Sequence, residues 1–520
     1  MAGCFLRALI DYHARMTSTI PAYEELITRF RDYRLLQSTA SLLSWDQETL
    51  MPTGGLAYRG RQLAHLARLK HEALTDAHIG TLLSECESHS NGDDSDFAVN
   101  VREIRRTYDR ATKLPADLVV EISQTTTQAK HEWAQARKAN DFSRFEPWLD
   151  KVVQLNIRRA DCFGYPDDGE PWDALADEYD AGCTAALIES VFTPLRERLV
   201  VLLGELMGSG KAPSNAFNEL ELSVDQQRSF VRFIADAIGF DFNRGRLDES
   251  THPFCSGTHC HDVRMTTRFH EDMLPDALGS TMHECGHGIY SQGLLDGDYI
   301  DTPAGMSVSL SIHESQSRTW ENQVGRSVAF WKWCYPKLSV FFGEAVNGLS
   351  CDQVYGGVNI VKPSLIRVEA DEVTYNLHIM VRFELERALM KGDIKAVDVP
   401  GAWNEKYRDY LGIDVPDDAR GCLQDIHWSM GAMGYFPTYT LGNLYAAQFF
   451  EQAVANIPDL EQQFTRGEFA SLKKWLNENI HEQGMRYLSE PLCEKITGKP
   501  LSADALMRHL ESKFRPIYGL

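Results

Sequence analysis

The chain has 520 residues, of which 43% are hydrophobic and 24% are charged, a composition typical of a globular protein rather than a disordered or fibrous one. Acidic residues exceed basic residues by 74 − 52 = 22, and this surplus argues against nucleic acid or an anionic membrane as the main partner. No stretch approaches the roughly 18 uninterrupted apolar residues of a membrane span. Eleven cysteines spread over this length predict reduced thiols and a cytoplasmic protein.

Helices dominate the elements predicted along the chain. Tyr23–Leu36 carries apolar side chains at helical intervals, and Pro21 stands where the first turn of a helix favours proline. The clearest strand is Asp262–Thr266, in which apolar and polar residues alternate. Val308–Glu321 and Ile366–Leu389 are predicted as further helices. Loops are predicted at Glu87–Asp96, Gly164–Pro171, Gly208–Pro213 and Asp414–Gly421.

A metal-binding motif follows the predicted strand. His283 and His287 enclose Glu284 in an HExxH sequence, and two histidines four residues apart on a helix can reach one cation. A catalytic zinc takes three protein ligands and leaves one position for water. Spacing alone leaves the third ligand open, with Glu314 as the first downstream glutamate. The competing residues are His313, Asp296, Asp298 and Asp301.

Several other short motifs occur in the chain in a fixed order. They are WDQET at Trp45–Thr49, HPF at His252–Phe254, DxRxT at Asp262–Thr266, HESQ at His313–Gln316, IRxxAD at Ile366–Asp371, GxxQDxHW at Gly421–Trp428 and GYFPTY at Gly434–Tyr439. Together with HExxH, these motifs resemble those of the carboxypeptidase Taq family of metallocarboxypeptidases, also called family 32. Any one pattern is weak, whereas all of them in family order are highly specific and cover most of the chain.

The resemblance implies an all-α fold, a helical saddle or clam with a deep groove and a small β-sheet near the metal, as in neurolysin-like HExxH zincins. It also implies a homodimer. Length alone suggests about three domains. Because the motifs draw one site from most of the chain, a single catalytic domain is expected over residues 1–520, with residues 1–20 as an N-terminal extension. Family members remove single C-terminal residues from peptides with broad preference and disfavour C-terminal proline.

The resemblance also implies roles for individual residues. Glu314 becomes the third metal ligand, and Glu284 becomes the general base that takes a proton from water and later gives it to the leaving amine. His427 and Tyr439 are expected to stabilise the oxyanion, with Tyr435 as a substitute for Tyr439. The residues expected to bind substrate are Asp262, Arg264, Thr266, Arg367 and Gln424. Two histidines and a carboxylate suit zinc best, with cobalt or manganese as alternatives.

An exopeptidase must recognise the free C-terminal carboxylate of its substrate, and arginine does this well through a planar two-pronged fork. Arg264 and Arg367 are the two candidates. Each has a competing structural partner close in sequence, which is Asp262 for Arg264 and, four residues along a predicted helix, Asp371 for Arg367. Two other functions stay open: a related helical oligopeptidase or dipeptidyl carboxypeptidase, and a catalytically inert helical scaffold that binds peptides.

Overall fold

The computed structural model describes residues 20–520, which form two compact units. Unit 1 consists of the described residues up to Lys113 together with two inserted segments, Leu295–Met306 and Gly484–Arg486. Unit 2 consists of Leu114–Leu294, Ser307–Gln483 and Tyr487–Leu520. The N-terminal extension expected at residues 1–20 lies almost wholly outside the described residues. The single catalytic domain expected over the whole chain stays a prediction.

Unit 1 is helical and has its own apolar core. Its helices are α1 (Pro21–Thr49), α2 (Leu56–Leu74), α3 (Ala77–Glu87) and α4 (Asp96–Thr112). The predicted first helix is confirmed: Pro21 occupies its first turn, and the helix continues well beyond Leu36. Leu26, Leu83 and Ile104, from three different helices, are fully buried in the core of this unit.

Unit 2 contains the other helices and a small sheet. The helices before the sheet are α5 (Ala116–Ala139), α6 (Glu146–Phe163), α7 (Pro171–Tyr179), α8 (Ala185–Gly208) and α9 (Val224–Ala237). The helices after it are α10 (Leu274–Gly293), α11 (Leu310–Arg318), α12 (Val328–Phe342), α13 (Cys351–Gly357), α14 (Tyr375–Lys391), α15 (Val399–Leu411), α16 (Pro437–Asn456), α17 (Leu460–Arg466), α18 (Ala470–Asn479), α19 (Ser489–Thr497) and α20 (Asp504–Ile517). A π-helix, Thr319–Gly325, continues directly from α11. The predicted all-α fold class is confirmed.

The sheet of the described chain has three short strands. They are β1 (Gly245–Glu249), β2 (Cys255–His259) and β3 (Asp262–Thr267). The predicted strand, β3, lies in the middle, parallel to β1 and antiparallel to β2. Val263 and Met265 are completely buried on one face of β3, and the Met265 sulfur lies 3.6 Å from the Cys285 sulfur of α10. The sheet therefore packs against the helix that carries HExxH, and Arg264 points from the opposite face.

The helix predicted at Ile366–Leu389 is wrong at its start. Arg367–Glu369 forms one 3₁₀ turn, and α14 begins only at Tyr375. The carboxylate of Asp371 accepts hydrogen bonds from two backbone N–H groups just downstream, at 2.9 and 3.0 Å, in the manner of a helix cap. This local hydrogen bonding overrides the apolar spacing, which continues through the segment without a break.

Each of the four predicted loops lies between consecutive helices. The cysteines between residues 20 and 520 all carry free thiols. No helix within this range combines the length and apolar character needed to cross a membrane.

Candidate metal centre

The HExxH sequence lies near the middle of α10. The helix has Pro275 in its first turn, where the missing N–H leaves no helical hydrogen bond unmade. His283 and His287 stand one turn apart on the same side of the helix, with their ring centroids 4.8 Å apart. Cys285 points elsewhere, into the core against the sheet, so its thiol is structural.

Glu314 of α11 lies opposite the two histidines. Its Oε2 atom is 3.5 Å from Nε2 of His283 and 3.5 Å from Nε2 of His287. Donor atoms about 2.0–2.2 Å from a tetrahedral cation lie roughly 3.3–3.6 Å from one another, so these three atoms fit one divalent ion. The close approach depends on Gly442 of α16, because a Cβ atom there would lie 2.4 Å from Cγ of Glu314.

Hydrogen bonds fix the carboxylate of Glu314. Arg318, one turn further along α11, donates from Nε to Oε1 at 2.7 Å, and the Ser317 hydroxyl donates to Oε2 at 3.1 Å. Burial alone would raise the pKa of Glu314, but the charges of Arg318 and His283 outweigh it and hold this pKa well below its usual range. Glu314 is therefore an anion oriented toward the histidines.

The other nitrogen of His283 is held by a second carboxylate. Nδ1 of His283 lies 2.9 Å from Oε2 of Glu321. The same oxygen accepts a hydrogen bond from Nη1 of Arg318 at 3.1 Å. Burial would raise the pKa of Glu321, but Arg318 and the His283 hydrogen bond lower it well below its usual range. An ionised Glu321 accepts a hydrogen bond from the Nδ1–H group of His283, so the Nε2 atom keeps its lone pair for a cation.

His287 is oriented by a backbone carbonyl. Nδ1 of His287 lies 3.0 Å from the backbone carbonyl oxygen of His313 and 2.6 Å from Nδ1 of the His313 ring. Burial, and to a lesser extent the neighbouring His287, lowers the pKa of His313 well below its usual range. The His313 imidazole is therefore neutral. His313 therefore supports a candidate ligand, whereas Glu314, whose carboxylate faces both histidines, is the candidate for the third donor. The other competitors, Asp296, Asp298 and Asp301, belong to unit 1.

We expect Glu321→Gln to weaken metal binding by roughly tenfold to a hundredfold, because the amide is a poorer acceptor for the His283 proton than a carboxylate. The measurement is the dissociation constant for zinc, obtained by competition with a chromophoric chelator. Glu344→Gln, at an exposed position, is the matched control and should bind zinc like the unmodified protein. Equal affinity in the two variants would remove Glu321 from the metal centre.

Glu284 is the unpaired acid of the site. It is 6% exposed, and within the described chain its Oε2 atom is buried without a hydrogen-bond partner. Burial raises the pKa of Glu284, although His283 and His287 act in the opposite direction. A buried carboxylate with an unused oxygen and a raised pKa, next to a cation site, has the properties of a general base.

Arg367 reaches the same region from the 3₁₀ turn. Its Nε and Nη2 atoms donate to Oδ1 of Asp425 at 3.0 and 2.8 Å, so the alternative pairing with Asp371 is wrong. Its Nη1 atom donates to the Tyr375 hydroxyl at 3.3 Å, and its guanidinium lies 5.2 Å from the centre of the Tyr439 ring. Tyr375 in turn lies under Arg318, whose guanidinium is 4.6 Å from the centre of its ring. A chain of contacts thus links Arg367 to the donor set.

His427, Tyr435 and Tyr439 form a cluster beside Arg367. The His427 and Tyr435 ring centroids are 5.3 Å apart, and those of Tyr435 and Tyr439 are 5.4 Å apart. Burial lowers the pKa of His427 to about 4, and within the described chain its Nδ1 atom has no hydrogen-bond partner. Burial raises the pKa of Tyr439 well above its usual range, with Glu314 among the contributing charges. At neutral pH the two side chains are therefore uncharged donors.

Three residues predicted to bind substrate are engaged within the protein. Arg264 forms a two-pronged ion pair with Asp262, with N–O distances of 2.8 and 3.0 Å, as the competing interpretation expected. The hydroxyl of Thr266, completely buried, accepts hydrogen bonds from Ser250 and from the backbone N–H of Phe254. Thr266 therefore holds the loop that contains HPF, which favours a positioning role over substrate contact.

Gln424 is engaged in the same way. Its side-chain oxygen accepts the backbone N–H of Arg367 at 2.9 Å, and its amide nitrogen donates to the carbonyl of Leu365 at 3.0 Å. The side chain is 8% exposed. Gln424 thus fixes the backbone beside Arg367, and its structural role is again positional.

Sequence reasoning missed Arg318, Glu321 and Tyr375. The first two follow Glu314 at four and seven positions, a spacing that keeps them close to the same face, and that spacing was the available signal. Tyr375 had no such signal, because it contacts the site only after the irregular segment before α14 has turned the chain.

Comparisons with known proteins are consistent with this arrangement. Residues 25–514 match the sequence profile described as carboxypeptidase Taq (M32) metallopeptidase. Thermostable carboxypeptidase 1 of Thermus thermophilus is 44% identical over 507 residues, covering 96% of this chain and 99% of that protein. An M32 carboxypeptidase from Deinococcus radiodurans superposes with a TM-score of 0.93 at 39% identity, covering 96% and 100% of the two chains. A carboxypeptidase from Pyrococcus furiosus superposes with a TM-score of 0.92 at 36% identity, covering 95% and 99%.

Proposed function

The chain belongs to the carboxypeptidase Taq (M32) family of metallopeptidases, and on this premise we propose that it removes single residues from the free C-termini of peptides, with Glu284 as general base. That it is a metal-dependent peptide hydrolase of the carboxypeptidase type follows from the family. Two neighbouring features support removal of single C-terminal residues. One is the oriented His–His–Glu donor set with the buried carboxylate of Glu284 beside it. The other is Arg367, which contacts this donor set through aromatic side chains.

The proposed chemistry begins with water and the scissile carbonyl. A divalent cation held by His283, His287 and Glu314 would polarise the carbonyl and lower the pKa of water toward neutrality. Glu284 takes the proton of the attacking water on its carboxylate and later delivers it to the leaving nitrogen. General acid–base transfer of this kind contributes about 10²–10⁴-fold.

Tyr439 and His427 are proposed as donors to the oxyanion that develops in the transition state. Both are neutral at physiological pH, and a neutral donor in a buried site stabilises developing negative charge without a prior rearrangement of solvent. Tyr435, whose ring lies 5.4 Å from that of Tyr439, is the substitute donor.

Arg367 is proposed to bind the C-terminal carboxylate of the substrate. Asp425 holds two of its nitrogens, so the guanidinium is oriented before substrate arrives. Both arginines are paired with an aspartate, but Arg264 projects from the sheet face opposite α10, whereas the guanidinium of Arg367 lies against the Tyr439 ring. A preformed arginine cuts the entropy cost of binding a flexible peptide end.

Broad side-chain preference and poor cleavage before C-terminal proline are further parts of the proposal. They rest on the family resemblance and, for proline, on chemistry: an X–Pro bond has no N–H and fixes the backbone of its proline, so it presents a differently shaped leaving group. Zinc is the proposed metal because two imidazoles and one carboxylate suit it. A homodimer in the cytoplasm is proposed on the family resemblance alone.

We expect the zinc-loaded protein to convert a peptide with a free C-terminus into a ladder of products that each lack one more C-terminal residue. The measurement is mass spectrometry over a time course, and the same peptide with an amidated C-terminus is the control, since it cannot pair with Arg367. Loss of residues in pairs would indicate a dipeptidyl carboxypeptidase. Equal cleavage of the amidated peptide would contradict recognition of the free carboxylate.

A further inference from the structure

Glu386 of α14 is a buried acid that the proposed chemistry does not use. It is completely buried, yet it accepts three hydrogen bonds from N–H groups. The indole nitrogen of Trp428 donates to Oε1 at 2.9 Å, and the indole nitrogen of Trp172 and the backbone N–H of Gly434 donate to Oε2 at 3.0 Å each. Burying a carboxylate costs free energy of desolvation. Here the three hydrogen bonds offset that cost, and without the carboxylate the three buried donors would lack an acceptor.

Two of these donors come from the ends of one segment. Trp428 directly follows His427, and Gly434 directly precedes Tyr435. Gly434 has φ +87° and packs so closely on α7 that a Cβ atom would lie 2.7 Å from the backbone nitrogen of Ala176. The segment is therefore held on one side by α7 and on the other by the carboxylate of Glu386.

Trp172 connects the same carboxylate to α7. Its ring packs edge-on against Phe383 of α14, with centroids 5.2 Å apart, so the indole donor is fixed independently of the segment. Glu386 thus joins two helices of the core to a segment that has little regular structure of its own.

We propose that Glu386 is a positioning residue that holds the segment from His427 to Tyr435, and with it the start of α16, in the place from which His427 and Tyr439 reach the reacting carbonyl. This inference rests on the oxyanion roles proposed above. A glutamine cannot replace the acid, because its side chain offers one acceptor oxygen and turns an N–H₂ group toward a donor.

The protonation of Glu386 gives this clamp a measurable signature. Burial raises the pKa of Glu386 to about 7, although the three hydrogen bonds and the charge of Arg382 act against burial. Tyr179 of α7 is also close enough for the charge of Glu386 to contribute to the rise in its pKa, after burial and Glu178. Above the pKa the carboxylate accepts all three N–H groups, whereas below it one oxygen carries a proton and accepts less well.

The first experiment follows the indole N–H signals of the full-length, zinc-loaded protein by two-dimensional NMR with ¹⁵N-labelled tryptophan. Signals of Trp172 and Trp428 are assigned from their Phe variants. We expect both signals to shift with pH around a common midpoint near 7, and neither shift to occur in Glu386→Gln. Persistence of the shift in the variant would assign the titration to another group. Indole signals of Glu386→Gln that match those of the unmodified protein at every pH would overturn the clamp, whether or not the peptide ladder is observed.

The second experiment separates positioning from simple stability. We expect Glu386→Gln to keep its zinc and to lose roughly tenfold to a hundredfold in kcat, with a smaller change in KM, because displaced donors weaken the transition state more than substrate binding. Trp428→Phe removes one donor from the clamp and should give a smaller loss in the same direction. Unchanged kcat in both variants, at full zinc content, would overturn the inference.

Glu384→Gln is the matched control on the same helix. Glu384 is half-buried and bonded to Arg196 and Tyr410, away from the segment, so its loss disturbs α14 without touching the clamp. We expect its kcat and its indole signals to match those of the unmodified protein. An equal loss of kcat in Glu384→Gln and Glu386→Gln would show a general effect of weakening α14 and would also overturn the inference.

Discussion

Replacing Glu284 with glutamine should leave zinc binding intact and reduce kcat by about 10²–10⁴-fold. The amide has nearly the same shape, so the neighbouring histidines keep their positions. It cannot take a proton from water, however, and it cannot return one to the leaving nitrogen. Because the Oε2 atom of Glu284 has no partner in the described chain, the substitution breaks no existing hydrogen bond of that atom.

The measurement pairs zinc content with kcat on a peptide that has a free C-terminus. Glu405→Gln, at an exposed position of α15, is the control and should be fully active. An active Glu284→Gln variant would assign the proton transfer to another group. A variant that loses zinc together with activity would leave Glu284 a structural neighbour of the donor set and contradict its role as the base.

Replacing Asp425 with asparagine should lower the free energy of unfolding by about 3–5 kcal/mol, the usual cost of removing one partner from a buried charged network. Asp425 is shared by two arginines: Arg367 donates to Oδ1 at 2.8 Å and Arg382 donates from Nε to Oδ2 at 2.6 Å. The side chain of Arg382 is completely buried. An amide leaves both guanidinium groups without a counter-charge.

Denaturant unfolding followed by circular dichroism measures this loss, and Asp409→Asn at an exposed site of α15 is the control. The contribution of Asp425 to the free energy of unfolding depends on pH through the pKa of its carboxyl group. Burial would raise it, but Arg382 and Arg367 hold it well below the usual value. The unfolded chain thus binds a proton more readily, and the contribution of Asp425 is present at neutral pH and is lost as the pH falls below the ordinary range of a carboxyl group. A loss no larger than that of the control would contradict the shared ion pair.

Local spacing explains how much of the metal centre could be predicted from the sequence. His283 and His287 share a helical face whatever the tertiary structure, and Glu314 lies on a segment that was itself predicted as helical. Arg318 and Glu321 follow the same rule and could have been predicted with them. The pairing of Arg367 with Asp425 could not, because the two residues are 58 positions apart and meet only through the packing of α14 against the segment before α16.

The sheet shows a second limit of the same kind. β3 was predicted because Val263 and Met265 alternate with polar residues, as a strand with one buried face requires. β1 and β2, with sequences GRLDE and CSGTH, lack that alternation and are held mainly by backbone pairing with β3. The start of α14 was predicted too early because the hydrogen bonds of the capping Asp371 outweigh the apolar periodicity of the segment. Those hydrogen bonds form only when the neighbouring backbone is folded, so the sequence pattern does not reveal them.

The π-helix that follows α11 bears on how the chain tolerates changes of length. A π-turn closes its hydrogen bonds over one more residue than an α-turn, so Thr319–Gly325 acts as a place where an α-helix has gained a residue. Deleting one residue there would restore an α-helical register and rotate the following residues by about 100° per position removed. Glu321 lies inside this stretch, so a deletion at Thr319 or Trp320 would rotate its carboxylate away from His283. Because all seven residues of the π-helix are buried, the extra residue sets both the packing of this stretch and the position of Glu321 beside His283, and a change of chain length here should disturb the two together.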